Sequence, residues 1–203
     1  MTPYRGMMFT ACCPLILASS SPRRQEFLSQ LGLEYRVLPA IIDETPAPGE
    51  PPECFARRMA ATKTEQIATV FPESCVIGAD TVVALNGSIF GKPRDRHEAL
   101  TTLKILQGQT HQVITGFAVY MQQRSIEEIQ TITTLVTFDT FSENILQSYI
   151  DSEEPMDKAG AYGIQGKGTF LIRSITGSYS NVVGLPVNAI VQVLLRHHLL
   201  QPH

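Results

Sequence analysis

The sequence predicts an α/β protein, because segments with strand character alternate with segments that repeat apolar residues at helical spacing. Residues 15–18 form a short apolar run, followed by small hydroxyl residues and then by a helical pattern. Cys75–Leu85 is apolar on successive residues and rich in valine, which is typical of a strand buried on both faces. Helical patterns recur at 52–70 and 95–106, so we expect the alternation to continue along the chain.

Length and composition indicate one folded unit. The chain has 203 residues, of which 43% are hydrophobic and 17% charged, as in ordinary globular proteins. One domain takes about 100–200 residues. We therefore predict a single domain over 15–203 that follows a variable leader over 1–14. Within this leader, Met7 and Met8 are alternative start residues to Met1.

Charge and cysteine usage exclude several classes of protein. Sixteen basic and nineteen acidic residues give a net charge of −3, so we expect no nucleic-acid polymer as a partner. We also expect no membrane partner, because no apolar run approaches the roughly 20 residues that span a bilayer. The cysteines lack the paired spacing of a zinc site. Reduced thiols and a cytoplasmic location are the expectation.

The first helix begins in an unusual way. Pro22 favours the first helical position, and Arg23 and Arg24 then occupy the first turn. The helix dipole disfavours cations there by roughly 0.3–1 kcal/mol each. Free backbone N–H groups, the hydroxyls of residues 19–21 and two guanidinium groups suit a phosphate chain. In the alternative interpretation, Ser21 caps the helix and both arginines point into solvent.

The next segments contribute a carboxylate and a lysine. A strand is predicted at 34–38 and a proline-rich loop at 45–52. Asp43 and Glu44 are adjacent, so only one of them can face a site beside the arginines. We expect Glu44 to be a metal or water ligand, with a solvated loop carboxylate as the alternative. Lys63 lies in the predicted helix 52–70, where a lysine is either functional or simply exposed to solvent.

Asp80 is the one charge within the predicted buried strand Cys75–Leu85. A carboxylate costs several kcal/mol there unless it is paired, metal-bound or protonated, which favours a catalytic role. Gly78 leaves room for a backbone or ligand to approach closely. Asn86 and Gly87 predict a hairpin. It returns Lys92 toward the end of the strand where Asp80 lies, and there an amine would neutralise phosphate charge.

The following segments are predicted to form helices and strands with a mainly structural role. Asp95 and Glu98 have capping-box spacing at the start of the helix 95–106. Two long strands are expected at 110–121 and 126–141, with His111 as a structural histidine. Ser142 is expected to cap a further helix that runs through residue 150.

A glycine-rich loop at 153–168 is predicted to approach a ligand with its backbone. Its polar contacts are expected from Asp157, Lys158, Gln165 and Lys167. A strand at 170–175, a turn at 176–180 and a helix whose first turn contains Pro186 complete the chain. The histidines at 197, 198 and 203 are expected to be solvated.

Short motifs in these segments resemble the Maf family of nucleotide pyrophosphatases. The motifs are Leu-Ala-Ser-Ser-Ser-Pro-Arg-Arg (17–24), Asp-Glu (43–44), Gly-Ala-Asp-Thr (78–81), Gly-Lys-Pro (91–93), Asp-Lys-Ala-Gly-Ala-Tyr-Gly-Ile-Gln-Gly (157–166) and Val-Gly-Leu-Pro (183–186). The resemblance implies a mixed, elongated central β-sheet flanked by helices, similar to the inosine triphosphate pyrophosphatase fold. It also implies hydrolysis of a nucleoside triphosphate to the monophosphate and diphosphate, and a homodimer is common in the family.

Within that family, three positions separate the substrate branches, and Arg23, Thr81 and Gln165 occupy them here. They resemble the dTTP/UTP branch, whereas the 7-methyl-GTP branch, the alternative, tends toward tryptophan, glutamine and glutamate. A glutamine amide both donates and accepts, as the imide edge of uracil or thymine requires. The family more often has Glu-Lys-Ala where this chain has Thr-Lys-Thr around Lys63.

The resemblance and the residues together suggest one chemical hypothesis. The triphosphate is held by the following side chains: Ser19, Arg23, Arg24, Lys63 and Lys92. A divalent cation, Mg²⁺ or Mn²⁺, is held by Glu44 and Asp80, and Asp80 activates water. In an alternative of another class, the chain is a nucleotide-binding regulator of septum formation and cell division with little catalysis.

Overall fold

A mixed seven-stranded sheet runs through the protein, and its computed structural model describes residues 8–203. Its strands are β2 (Leu15–Leu17), β3 (Arg36–Val37), β4 (Cys75–Leu85), β5 (Ser88–Phe90), β6 (Thr110–Met121), β7 (Ile126–Phe138) and β8 (Ile172–Thr176). The order across the sheet is β3-β2-β4-β6-β7-β8, and β5 pairs with β4. β2 is parallel to both β3 and β4, while β4, β6, β7 and β8 form antiparallel pairs. The predicted mixed, elongated sheet is confirmed.

Helices lie on both faces of this sheet. They are α1 (Pro22–Gln30), α2 (Pro52–Ala68), α3 (Arg96–Leu106), α4 (Glu143–Ile150), α5 (Tyr179–Val183) and α6 (Val187–Arg196). Leu28 of α1 and Leu194 of α6 pack with Ile77 on one face. Met59 of α2 packs with Val82 and Ile114 on the other face. Because side chains alternate along β4, its successive residues point toward different helices.

One edge of β4 is paired only in part. Residues 75–77 pair with β2, and residues 83–85 pair with β5. Between these two ladders, no strand of residues 8–203 lies beside residues 78–82 on this edge, although β6 pairs with them on the other edge. A short gap therefore opens in the sheet around Asp80.

Two glycines allow α2 to lie unusually close to the sheet. A Cβ atom added at Gly78 would collide with Thr64 Oγ1, and one added at Gly116 would collide with the backbone of Ala56. Both contacts are with α2, so the close approach predicted at Gly78 is that of a helix. This packing brings the middle of α2, with Lys63, against the face of β4 that carries Asp80.

The predicted helices and strands are largely confirmed, and the differences are local. The strand predicted at 34–38 forms only at 36–37, and the one predicted at 126–141 ends at Phe138. The predicted strand at 170–175 is shifted to Ile172–Thr176. The predicted cap at Ser142 is wrong, because its side chain makes no capping hydrogen bond, whereas Asp95 does cap α3.

A strand lies near each end of the described chain, and the sequence patterns predicted neither of them. β1 (Phe9–Ala11) pairs antiparallel with β9 (Leu200–Pro202). Part of the predicted leader is thus in a strand, while residues 1–7, including the alternative start Met7, lie outside the described residues. His197 Nε2 lies 2.8 Å from Glu128 Oε1, so this histidine is not simply solvated. The division into leader 1–14 and domain 15–203 stays a prediction.

No helix within residues 8–203 combines the length and apolar character needed to cross a membrane. The four cysteines are all free thiols.

His111 is buried beside aromatic rings and has the structural surroundings predicted for it. Its Nε2 lies 2.8 Å from the Tyr162 hydroxyl, and its Nδ1 has no hydrogen-bond partner in the described part of the chain. The ring of Phe138 packs edge-on against it. Burial lowers the pKa of His111 from 6.5 to about 4, so the ring is neutral in the native state at neutral pH.

This buried histidine predicts a loss of stability in acid. Between about pH 4 and 6.5 the unfolded chain binds a proton that the native ring does not, so stability is complete above this window and falls as the pH drops through it. Urea unfolding of the wild type should show about 2 kcal/mol of His111-dependent loss between pH 7 and pH 5. His111→Phe should lack this component, while the exposed-site control His97→Gln should keep it. An unchanged pH dependence in His111→Phe would contradict the assignment.

Candidate active site

A cleft of about 720 Å³ opens at the gap along β4. Lys167, from which a polar ligand contact was expected, does not line this cleft, but the residues assigned a role with the triphosphate, the cation or the base all do. They are Ser19, Arg23, Arg24, Glu44, Lys63, Asp80, Thr81, Lys92 and Gln165. These residues come from β4, two helices and four connecting segments, so the fold brings together groups that are far apart in the chain. The individual roles assigned to them stay predictions.

Lys63 joins two carboxylates at the centre of the cleft. Its Nζ lies 2.6 Å from Asp80 Oδ1 and 2.7 Å from Glu44 Oε1. Lys63 and Asp80 are almost fully buried, whereas Glu44 is exposed. Of the two interpretations of Lys63, the solvent-facing one is wrong. Asp80 Oδ2 accepts no hydrogen bond from residues 8–203 and remains available for a ligand or a water molecule.

The loop that carries Glu44 is fastened to α2 at two points. Gln66 Oε1 accepts a hydrogen bond from the backbone N–H of Ile41 at 3.0 Å. Arg58 donates to both carboxylate oxygens of Glu50, and its Nη2 also donates to the Thr45 carbonyl at 3.2 Å. Glu44 lies between these attachments. Since the same helix carries Lys63, α2 positions both the lysine and the loop carboxylate that contacts it.

The guanidinium group of Arg24 makes four hydrogen bonds to acceptors within the protein. Its Nη1 donates to the Ala79 carbonyl at 2.7 Å, and its Nε donates to the Gly184 carbonyl at 2.8 Å. Further hydrogen bonds go to Ser19 Oγ at 3.1 Å and Thr81 Oγ1 at 3.2 Å. Burial lowers the pKa of Arg24, and the charge of Asp80 partly offsets this effect. Four donors are thus committed, so Arg24 acts mainly by shaping the cleft.

The start of α1 faces the same cleft. Ser21 occupies the N-cap position but its side chain makes no capping hydrogen bond, so the first-turn N–H groups are not satisfied by it. Arg23 Nη1 lies 3.2 Å from Asp157 Oδ2 on the glycine-rich loop. The alternative interpretation, a Ser21 cap with two solvent-facing arginines, is wrong in its account of Ser21 and of Arg24.

The remaining predicted residues surround the rest of the cleft. Thr81 lies 2.9 Å from Thr115 through their hydroxyl oxygens and also accepts from Arg24, so its hydroxyl belongs to a hydrogen-bond network. Gln165 is partly buried on the glycine-rich loop, and Lys92 is exposed on the opposite connection after β5. Tyr162 contributes an aromatic surface nearby, and burial raises the pKa of its hydroxyl well above the usual range.

Two carboxylate oxygens of this cleft can supply part of the coordination shell of a hard divalent cation. Asp80 and Glu44 each use one carboxylate oxygen for Lys63, which leaves a second oxygen on each. Among residues 8–203, no group of three or more histidine, cysteine or acidic side chains could hold a metal. Mg²⁺ typically takes one or two protein carboxylates and completes its shell with water and substrate phosphates. The donor set therefore fits an ion that binds together with a phosphate chain.

Some residues of the site were missed from the predicted set. Asp157 had been expected only to supply a polar contact, yet it pairs with both Arg23 and Lys158, the latter at 2.6 Å. The sequence feature that could have identified Asp157 as a site residue is its position in the glycine-rich loop. The Ala79 and Gly184 carbonyls that bind Arg24 could not be found in this way, because backbone acceptors have no sequence signature.

Known proteins resemble this chain over most of its length. A family model described as Maf-like protein matches residues 14–197. The dTTP/UTP pyrophosphatase of Desulfotalea psychrophila is 48% identical over 193 residues, which cover 95% of this chain and 99% of that protein. The dTTP/UTP pyrophosphatase of Myxococcus xanthus is 47% identical and covers 93% of this chain and 94% of its own length.

A solved structure supports the fold. The HAM1 protein from Coxiella burnetii has a TM-score of 0.50 with this chain at 15% sequence identity, covering 91% of this chain and 99% of its own. At this identity the likeness concerns the fold alone.

The hydrogen bonds of Arg24 predict a large difference between two neighbouring substitutions. Arg24→Lys keeps the charge but cannot reach the four acceptors, so unfolding free energy should fall by about 2–4 kcal/mol. Arg23→Lys is the matched control and should cost less than about 1 kcal/mol, because Arg23 makes one partly exposed ion pair. Equal losses of the two variants in urea unfolding would contradict the structural role of Arg24.

Proposed function

The chain belongs to the Maf family, and from this membership we propose that it hydrolyses dTTP and UTP to the nucleoside monophosphate and diphosphate. The observation that carries the proposal is the buried Asp80, held by Lys63 in a cleft that is lined by further cationic side chains and by Gln165. The corresponding role is house-cleaning of the nucleotide pool, and modified pyrimidine nucleotides fall within the proposed substrate class.

In the proposed reaction, Asp80 accepts a proton from water at its free oxygen. The water oxygen bonds to one of the two phosphorus atoms beside the α–β bridging oxygen, and the bond between that phosphorus and the bridge breaks. The diphosphate and the monophosphate are the two products. Lys63 holds the Asp80 carboxylate in place, since its ammonium group contacts Oδ1 at 2.6 Å. General-base assistance of this kind is typically worth 10²–10⁴-fold in rate.

The triphosphate is proposed to lie between α1 and the connection after β5. The uncapped first turn of α1 offers backbone N–H groups, and Arg23 and Lys92 offer positive charge on two sides of the cleft. Ser19 is tied to Arg24 and presents its hydroxyl at the same place. Because phosphoryl transfer depends mostly on positioning and charge neutralisation, these groups account for most of the catalysis we assign to the protein.

We propose that Glu44 and Asp80 hold a divalent cation, Mg²⁺ or Mn²⁺, when substrate is bound. The ion would neutralise phosphate charge and polarise phosphoryl oxygens. The residues themselves contribute a geometry in which Lys63 keeps the two carboxylates close to each other before the ion arrives.

The base is proposed to be recognised by Gln165, with Arg23 and Thr81 at its side. A glutamine amide can donate to and accept from the imide edge of uracil or thymine. The relatives named dTTP/UTP pyrophosphatase favour this branch over 7-methyl-GTP hydrolysis and over a regulator of septum formation without catalysis. A cytoplasmic location and a homodimer remain predictions.

Pyrophosphate release from a panel of nucleotides tests the proposal. The panel contains dTTP, UTP, CTP, dATP, GTP and 7-methyl-GTP, and turnover should be selective for dTTP and UTP. Asp80→Asn should lower kcat by about 10²–10⁴-fold while nucleotide binding is largely kept. Asp151→Asn is the control, because that carboxylate pairs with Arg96 away from the cleft. Turnover of 7-methyl-GTP instead would overturn the base assignment, and near-normal turnover in Asp80→Asn would remove Asp80 from its role.

Metal removal gives a separate prediction. Activity should fall to background in EDTA and return with Mg²⁺ or Mn²⁺. Glu44→Gln should raise the metal concentration required for half-maximal activity by at least about tenfold. Asp43→Asn is the matched control, since the Asp43 carboxylate is next to Glu44 in the chain but binds Thr45 in the loop rather than Lys63. Full activity in EDTA would refute the proposed cofactor, and an equal shift in both variants would refute the role of Glu44.

A further inference from the structure

Glu154 organises the glycine-rich loop from behind the cleft. Its Oε2 accepts a hydrogen bond from the Lys167 N–H at 2.8 Å, and its Oε1 accepts from the Gly168 N–H at 2.9 Å. Its side chain does not line the cleft. The two bonds fix the backbone two and three residues after Gln165, so this carboxylate holds one end of the turn that presents the amide.

Tyr149 holds the other end of the same turn. Its hydroxyl accepts a hydrogen bond from the Gly163 N–H at 3.2 Å and donates to Glu154 Oε1 at 3.1 Å. Gln165 thus lies between two anchored points, residue 163 on one side and residues 167–168 on the other. Both anchors lead to one Tyr149–Glu154 pair.

The loop is packed too tightly to form this turn with other side chains. A Cβ atom at Gly166 would come within 2.8 Å of Glu154 Oε2, and one at Gly168 would come within 2.6 Å of the Gly163 carbonyl. Gly166 also has a φ of +89°, a conformation that L side chains rarely adopt. Within the turn, the Thr169 hydroxyl bonds the carbonyls of Ile164 and Gly166 at 2.8 Å each. These bonds are internal to the turn, whereas the Glu154 carboxylate and the Tyr149 hydroxyl attach the turn to the rest of the protein.

Glu154 is also connected, through Lys158 and Asp157, with Arg23 on the opposite wall of the cleft. The Glu154 carbonyl accepts from Lys158 Nζ at 2.6 Å, Lys158 Nζ lies 2.6 Å from Asp157 Oδ1, and Asp157 Oδ2 lies 3.2 Å from Arg23 Nη1. A continuous series of polar contacts thus connects Glu154 with Arg23. Gln165 and Arg23, two of the three side chains proposed to face the base, are thus fixed relative to this one residue.

The charge of Glu154 is suited to this position. Partial burial raises the pKa of the carboxyl group, but the N–H groups of Gly168 and Lys167 and the Tyr149 hydroxyl outweigh it, so the pKa lies below its usual range. Hydrogen bonds to a charged acceptor are shorter and stronger than neutral ones. An ionised Glu154 therefore holds two backbone donors more firmly than a neutral side chain of the same size.

We propose that Glu154, together with Tyr149, is a positioning residue that sets the distance between Gln165 and Arg23 and thereby the preference for thymine and uracil. This inference rests on the proposed function. Neither side chain contacts the substrate. Their effect is on which base is accepted, since Asp80 and Lys63 belong to β4 and α2 and are held independently of this loop.

Glu154→Gln tests this role with little change in size. Its amide nitrogen would point an N–H group at one of the two backbone N–H donors, so at least one hydrogen bond is lost. We expect kcat/KM for dTTP and UTP to fall by about tenfold or more, mainly through KM. The ratio of kcat/KM for dTTP to that for CTP should fall by a similar factor, while kcat at saturation stays within about threefold.

Glu153→Gln is the matched control, because the adjacent carboxylate makes an exposed ion pair with Arg96 outside the cleft. It should leave the dTTP-to-CTP ratio unchanged. Tyr149→Phe is a second variant that removes only the hydroxyl and keeps the aromatic packing against Phe170. It should lower the same ratio in the same direction, and it also serves if Glu154→Gln does not give a cooperative thermal transition.

The possible outcomes separate this inference from the function on which it rests. If kcat/KM falls by the same factor for every nucleotide, or if only the melting temperature changes, Glu154 is structural and the inference is overturned. If the wild type itself hydrolyses neither dTTP nor UTP, the proposed function fails in the wild-type arm, before any variant is compared.

Discussion

The gap in strand pairing along β4 is the constraint from which the rest of this structure follows. β2 ends and β5 begins on the same edge, so residues 78–82 face a cleft where another strand would otherwise lie. An unpaired carbonyl in such a place is costly, and Arg24 satisfies the one at Ala79 while it also binds the Gly184 carbonyl. The guanidinium group thus replaces part of a missing strand and leaves the neighbouring edge open to a ligand.

The close packing of α2 makes a buried charge tolerable at this gap. Gly78 and Gly116 let the helix approach until Lys63 reaches Asp80. Replacing buried ion pairs by apolar residues often leaves stability unchanged or improved, so a Lys63–Asp80 pair is poorly explained as a stabilising feature. Its arrangement is better explained by chemistry, in which the Asp80 carboxyl group keeps one oxygen accessible to a ligand or a water molecule.

Sequence reasoning identified groups that are out of place in their local surroundings. Asp80 was found because a charge interrupts a buried strand, and Gln165 because glycines crowd around it and match a family motif. The same reasoning missed β9 and the five-residue helix α5, since neither is long enough to establish a period. It also did not find the four protein acceptors of Arg24, because they lie up to 160 positions away in the chain, and the ligand role assigned to Arg24 stays a prediction.

Asp80 and Thr81 are neighbours in sequence but project from opposite faces of β4, one toward Lys63 and the other toward Thr115. This separation has an evolutionary consequence. If Thr81 has the specificity role proposed for it, a substitution at position 81 alters which nucleotide is accepted while the face that carries Asp80 and Lys63 keeps its side chains. Diversification of substrate choice within such a fold can therefore proceed by single replacements, whereas an insertion or deletion in this strand would exchange the two faces and abolish both properties at once.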